Sequence, residues 1–165
     1  MSESTPSPGY DSGQDPLSRV RAMIQFTPQA VALGIEITQL EPARVWGRVP
    51  YRADLVGDPD TGVIAGGVLT TFLDTLCGMA AVAAMETPTT VATIDLRIDY
   101  MRPAEPGRDV LAEAHCYKLG RNVAFVRAVA YEDEAHNPIA HAASAFMVNS
   151  SAGRKFGANL RKCAP

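Results

Sequence analysis

The sequence predicts a single α+β domain, and three features carry that expectation. From 62 to 85 the chain is almost wholly apolar, with Asp74 as its one charged residue, and this run is too long for a strand. Residues 91–101 alternate apolar and polar types, the period of a strand with one buried face. Three further runs rich in Val, Ala and aromatics, at about 109–118, 122–132 and 138–148, are separated by segments short enough for antiparallel hairpins. At 165 residues, 47% hydrophobic and 20% charged, the chain has the size and composition of one folded domain.

The elements follow in order. Residues 1–16 are crowded with Ser, Pro and Gly and hold neither a basic start nor an apolar stretch, so they read as a disordered leader, not a signal peptide. Between Leu17 and Gly34 the spacing of Val20, Met23, Ile24, Ala30, Val31 and Leu33 predicts helix, broken or bent near Thr27-Pro28. Two short strands are expected from Ile35 to Tyr51 around the turn at Glu41-Pro42-Ala43, followed by turn chemistry throughout 54–62. The long apolar helix comes next, with Gly66 and Gly67 at or before its first turn. In the alternating strand, Ala92, Ile94, Leu96, Ile98 and Tyr100 are expected on the buried face, with Thr93, Asp95, Arg97 and Asp99 opposite. Pro103, Pro106 and Gly107 end it. The domain thus runs over 17–149, and 150–165 forms a tail carrying Arg154, Lys155, Arg161 and Lys162.

Charge and cysteine usage narrow the function classes. A net charge of −3, with eleven basic and fifteen acidic residues in the body, argues against a dedicated nucleic-acid binder. Three cysteines, odd in number and without a CxxC pair, suit a reducing, cytoplasmic compartment better than a disulfide scaffold or a zinc site. No GxSxG elbow, phosphate-binding glycine loop or metal-ligand spacing is present. A membrane span over 63–85 is disfavoured because Asp at its centre costs roughly 2.5–3.5 kcal/mol.

Asp74 is therefore the residue that demands an explanation. A carboxylate on an apolar helix costs several kcal/mol unless it is paired, hydrogen-bonded or protonated. One explanation is structural, an aspartate that caps a neighbouring element or pairs with an arginine such as Arg97 or Arg127. The other is chemical. At a helix start, N–H groups are unpaired and carry partial positive charge, so those of Gly66 and Gly67 suit a carbonyl oxygen or oxyanion. A carboxylate and such a helix start together make an acyl-transfer site. Eight residues of helix, however, separate them by about 12 Å at 1.5 Å per residue. A symmetric dimer that sets Asp74 of one chain beside the glycines of its partner removes that distance.

The segments GVIAGGVLTTFLDTLCGMA (62–80) and TIDLRIDYMRPAEPG (93–107) resemble the hotdog-fold thioesterase superfamily, in particular its PaaI-like branch, over roughly residues 30–148. The resemblance implies a long central helix wrapped by an antiparallel sheet, in dimers or tetramers that share active sites. It implies hydrolysis of acyl-CoA thioesters without metal or redox cofactor, with Asp74 as base or nucleophile. The Gly66 amide would polarise the thioester carbonyl, and Gly67 would permit close approach. Ala65 stands where the family usually has His, and Pro59 where it tends to have Asn. The Ala65 departure supports a second reading, a non-catalytic acyl-CoA-binding protein. It also disfavours a hotdog hydratase, which pairs His with an acid. For the phosphates of CoA the candidate cations are Arg102, after the alternating strand, and Lys118 with Arg121, at the hairpin that follows.

Overall fold

A computed structural model of the chain describes residues 27–86 and 88–148. The leader, most of the first expected helix and the basic tail lie outside the described residues. The described body begins with helix α1 (Pro28–Leu33), which starts on a proline and ends at Gly34 in the left-handed region. Strands β1 (Glu36–Glu41) and β2 (Arg44–Val49) follow around the expected turn. The stretch expected to be turn throughout differs. It contains a 3-10 turn (Ala53–Leu55) and two very short strands, β3 (Val56–Asp58) and β4 (Val63–Ile64), which pair with one another. Polar turn residues dominate its composition, so these few paired residues left no periodic signal.

Helix α2 (Gly66–Ala83) is the apolar run, and it begins at the first of the two glycines. Strands β5 (Val91–Tyr100), β6 (Val110–Leu119), β7 (Val123–Tyr131) and β8 (Ala140–Val148) complete a six-stranded antiparallel sheet of order β1-β2-β6-β7-β8-β5. The sheet curves around α2 in the hotdog arrangement. By length and composition α2 could cross a bilayer, yet its Phe72, Leu73, Leu76, Cys77, Ala80 and Ala81 are wholly buried inside this fold.

The inner face of the sheet explains how α2 sits so close. Along β6, β7 and β8 the inward residues are largely alanine, among them Ala112, Ala114, Ala124, Ala130 and Ala140. In β2 the inward position nearest the helix is Gly47, where a Cβ would lie 2.7 Å from Leu76 Cδ1 and 2.9 Å from the Glu36 carbonyl oxygen. Only glycine fits that approach.

Strand β5 departs from the sequence expectation in two ways. Its register against β8 shifts between Thr93 and Asp95, leaving Ile94 as an extra, unpaired residue. The bulge reverses the alternation, so Thr93 lies on the helix side with Leu96, Ile98 and Tyr100, not opposite them. In addition, the expected buried face is poorly covered. Ile94 is 54% exposed and Tyr100 52%. Among the described residues β5 is an edge strand with a long, proline-free side that no other strand pairs.

Candidate active site

The start of α2 is held by its neighbours. Ala65 precedes the helix in an extended conformation, and its N–H donates to the Leu55 carbonyl at 2.9 Å. Strand β3 passes directly over it, so that a Cβ on Gly57 would lie 2.8 Å from the Ala65 Cα. The Val68 N–H turns back to the Ala65 carbonyl at 3.0 Å. Among the described residues, the N–H groups of Gly66 and Gly67 have no acceptor. Both glycines are exposed, and a Cβ on Gly67 would meet nothing within 4 Å. The result is a pair of free backbone donors at the positive end of an 18-residue helix.

Gly66 borders a cleft of about 310 Å³ whose walls include Val63, Ile64, Leu69, Tyr100, Met101 and Pro103. Its lining mixes apolar side chains with polar points from Gly66, Tyr100 and Arg102, a make-up that small-molecule sites share.

Asp74 lies two turns along α2, half-buried, and accepts a hydrogen bond from the Thr93 hydroxyl at 2.9 Å. It forms no ion pair among the described residues. Arg97 instead pairs with Asp99 on the outer face of the sheet at 2.9 Å, and the Arg127 guanidinium lies 4.4 Å from the centre of the Tyr117 ring. The two arginines that could have given Asp74 a structural partner are thus engaged elsewhere. Asp74 is not part of the wall of the cleft beside Gly66. Within one chain the carboxylate and the free amides remain apart, at different ends of β5, with Thr93 near one end and Tyr100 at the other.

Cys77, one turn beyond Asp74, is not a second nucleophile. Burial, reinforced by the nearby Asp74 charge, pushes its thiol up to about 12. The thiol therefore stays protonated and inert.

The candidate cations separate. Arg102 does line the cleft, but its guanidinium is fully occupied. It donates to both carboxylate oxygens of buried Glu132, to the Asn137 side chain at 3.2 Å and carbonyl at 2.8 Å, and to the Pro103 carbonyl at 3.2 Å. Glu132 also accepts the Glu105 N–H at 2.8 Å. Burial alone would raise the Glu132 carboxyl, but the Arg102 hydrogen bonds and charge outweigh it and hold the group below the usual range. Arg102 thereby anchors the loop that walls the cleft. Arg121 is exposed in the β6–β7 turn, next to the end where Val123 pairs with Met147. That end of the sheet is remote from Tyr100, which pairs with Ala140. Lys118 is likewise exposed near the same turn.

Thr93 is the site residue that sequence reasoning missed. Strict alternation assigned it to the outer face, and only the bulge at Ile94 brings its hydroxyl to Asp74.

A long apolar helix wrapped by an antiparallel sheet defines a hotdog protein. Comparison with known proteins agrees with that class. The family model described as the thioesterase superfamily matches residues 61–138. A Halobacterium salinarum protein named as an esterase is 34% identical over 118 residues, which make up 70% of this chain and 76% of that protein. The medium/long-chain acyl-CoA thioesterase YigI of Salmonella typhimurium is 29% identical over 130 residues, 71% of this chain and 83% of that enzyme. A crystal structure of a Pseudomonas aeruginosa protein superposes with a TM-score of 0.74 at 39% identity, covering 81% of this chain and 98% of that one. The chain belongs to the thioesterase superfamily.

Proposed function

We propose that this protein hydrolyses acyl-CoA thioesters at sites shared between two copies of the chain. The observation that carries the reading is the placement of two complementary half-sites along one unpaired strand edge. Asp74 is held by Thr93 near the start of β5, and the free Gly66 and Gly67 amides lie beside Tyr100 at its end. A long, exposed edge strand pairs readily with a second copy of itself. Antiparallel pairing of β5 with its twin, about an axis near mid-strand, brings the Thr93 end of each chain to the Tyr100 end of the other. Centred on Leu96, such a pairing also sets Asp95 opposite the partner's Arg97 on both sides of the axis.

The chemistry follows from the groups brought together. The thioester carbonyl oxygen accepts the Gly66 N–H at the helix start, where negative charge is favoured as it develops. The Asp74 carboxylate of the partner takes a proton from water as the water oxygen bonds to the carbonyl carbon. The C–S bond then breaks, and the CoA thiolate recovers the proton from Asp74. Gly67, lacking a side chain, leaves the approach open. The apolar cleft suits a short or medium aliphatic acyl group or an aromatic one. Arg121 of one chain, with Lys118 near it, comes toward the partner's helix start in this arrangement and is a cation for the CoA phosphates, while Arg102 shapes the cleft wall. Unpaired Cys77 and Cys116 thiols suit a cytoplasmic setting.

A screen of purified protein across short, long and aromatic acyl-CoAs tests the reading. Hydrolysis of at least one class is expected, and Asp74→Asn is expected to lower kcat by about 10²–10⁴-fold while the fold persists. Undiminished rates in that variant would sink the assignment. The second reading, a non-catalytic acyl-CoA-binding protein, is favoured by Ala65, which offers no polar side chain beside the glycines. Saturable binding of acyl-CoA with no turnover across the whole panel would establish it.

A further inference from the structure

Tyr100 ties the last residue of the edge strand to the first turn of α2. Its hydroxyl lies 3.0 Å from the Gly66 carbonyl oxygen and 2.8 Å from Thr70 Oγ1. The Thr70 hydroxyl is itself 3.1 Å from the same carbonyl oxygen. Each hydroxyl has one proton to give. Whether both donate directly, or one donates through the other, the Gly66 carbonyl receives at least one hydroxyl proton. Tyr100 nevertheless remains half exposed and forms part of the cleft wall.

The carbonyl that receives this proton belongs to the same peptide unit as the free Gly67 N–H. A hydrogen bond on the oxygen of an amide polarises the unit and makes its N–H a stronger donor. It also fixes the plane of a Gly–Gly peptide, the link with the most freedom to lose. We propose that Tyr100 is a positioning residue: with Thr70 it orients and polarises the Gly66–Gly67 peptide, so that the Gly67 N–H joins the Gly66 N–H as a second donor to the thioester carbonyl. The inference rests on the thioester-hydrolase reading above. It accounts for how a site with Ala65 at its cap gains a second donor, from backbone instead of a side chain.

The test uses Tyr100→Phe, Thr70→Val and the double variant in the full chain. Tyr100→Phe is expected to lower kcat about five- to tenfold, the effect of one hydrogen bond, with KM and Tm unchanged. Thr70→Val is expected to give a comparable loss, and the double variant less than the product of the two, because both act through one carbonyl. A structural role alone would not move the second readout. In an Asp74→Asn background, the infrared C=O band of a bound, ¹³C-labelled acyl-CoA thioester is shifted by the site's donors. Adding Tyr100→Phe returns it part of the way to its solution position. Wild-type kcat in both Tyr100→Phe and Thr70→Val, a loss confined to KM or Tm, or an unmoved carbonyl band would each overturn the assignment. The two levels separate cleanly. Full activity in Asp74→Asn overturns the underlying reading, whereas an inactive Asp74→Asn beside a fully active Tyr100→Phe overturns only the role of Tyr100. Failure of every acyl-CoA to bind overturns both.

Discussion

The centre of the sheet and its β5 edge face the same helix but are built in opposite ways. At the centre, Gly47, Ala112, Ala114 and Ala124 draw α2 in so closely that Phe72, Leu73 and Leu76 have no exposed surface. At the edge the inward residues are larger, Leu96, Ile98 and Tyr100, yet they stay partly open. The polar contacts that the sheet makes to the candidate catalytic groups come from the edge, with Thr93 on Asp74 and Tyr100 on Gly66. Small residues mark where the fold is finished within one chain. Large, partly open ones mark the edge on which the proposed shared site rests. If stability resides at the centre and chemistry at the edge, substitutions in the two regions should fail in different ways.

The largest effect after loss of Asp74 itself is expected from Gly67→Val. Open space around Gly67 lets the branched side chain fold in place, but it covers the free amides, and kcat/KM should fall about 10²-fold with Tm unchanged. A change of Tm without loss of rate would contradict the division between edge and centre. Gly47→Ala is its counterpart at the centre. Its new methyl meets Leu76 and the Glu36 carbonyl, and chemical denaturation should show a loss of about 1–3 kcal/mol, with kcat of the folded fraction intact. Thr93→Val comes next. It keeps shape and strand preference but removes the donor to Asp74, and kcat should fall about tenfold.

How much of this was legible in the sequence depends on the range of the interaction. The apolar run announced α2 and isolated Asp74, and the glycine pair marked the helix start, because both are local patterns. The bulge at Ile94 was hidden. Apolar and polar types continue to alternate straight through it, while the faces they occupy exchange, so Thr93 was assigned away from the site it serves. Exposure of the strand's apolar face was also illegible, since alternation shows which residues seek cover and not whether the same chain provides it. Arg102 read as a free cation because Glu132, thirty residues later, looks like an ordinary surface acid at the end of a strand. Only the fold brings that carboxylate under the loop.

The smallest expected effect concerns that pair. Because the folded-state Glu132 carboxyl is held below its usual value, it contributes stability above the ordinary carboxylate range near pH 4.3, which is lost as the pH falls through the lower folded-state value. Thermal melts between pH 6 and pH 3 should show this acid limb, and Glu132→Gln should flatten it while lowering Tm at neutral pH. An acid limb unchanged by the substitution would assign the loss to other carboxylates.

The central claim, that each site is assembled from two chains, is tested most directly by complementation. Asp74→Asn and Gly67→Val are each expected to be nearly inactive alone. Mixed in equal amounts, unfolded and refolded together, half of the dimers should contain one chain of each kind. One of the two sites in such a dimer combines an intact Asp74 with an intact glycine pair from the other chain. Recovery of about a quarter of wild-type activity is the predicted result. Refolded mixtures that exchange chains yet stay as inactive as the separate variants would contradict the shared site.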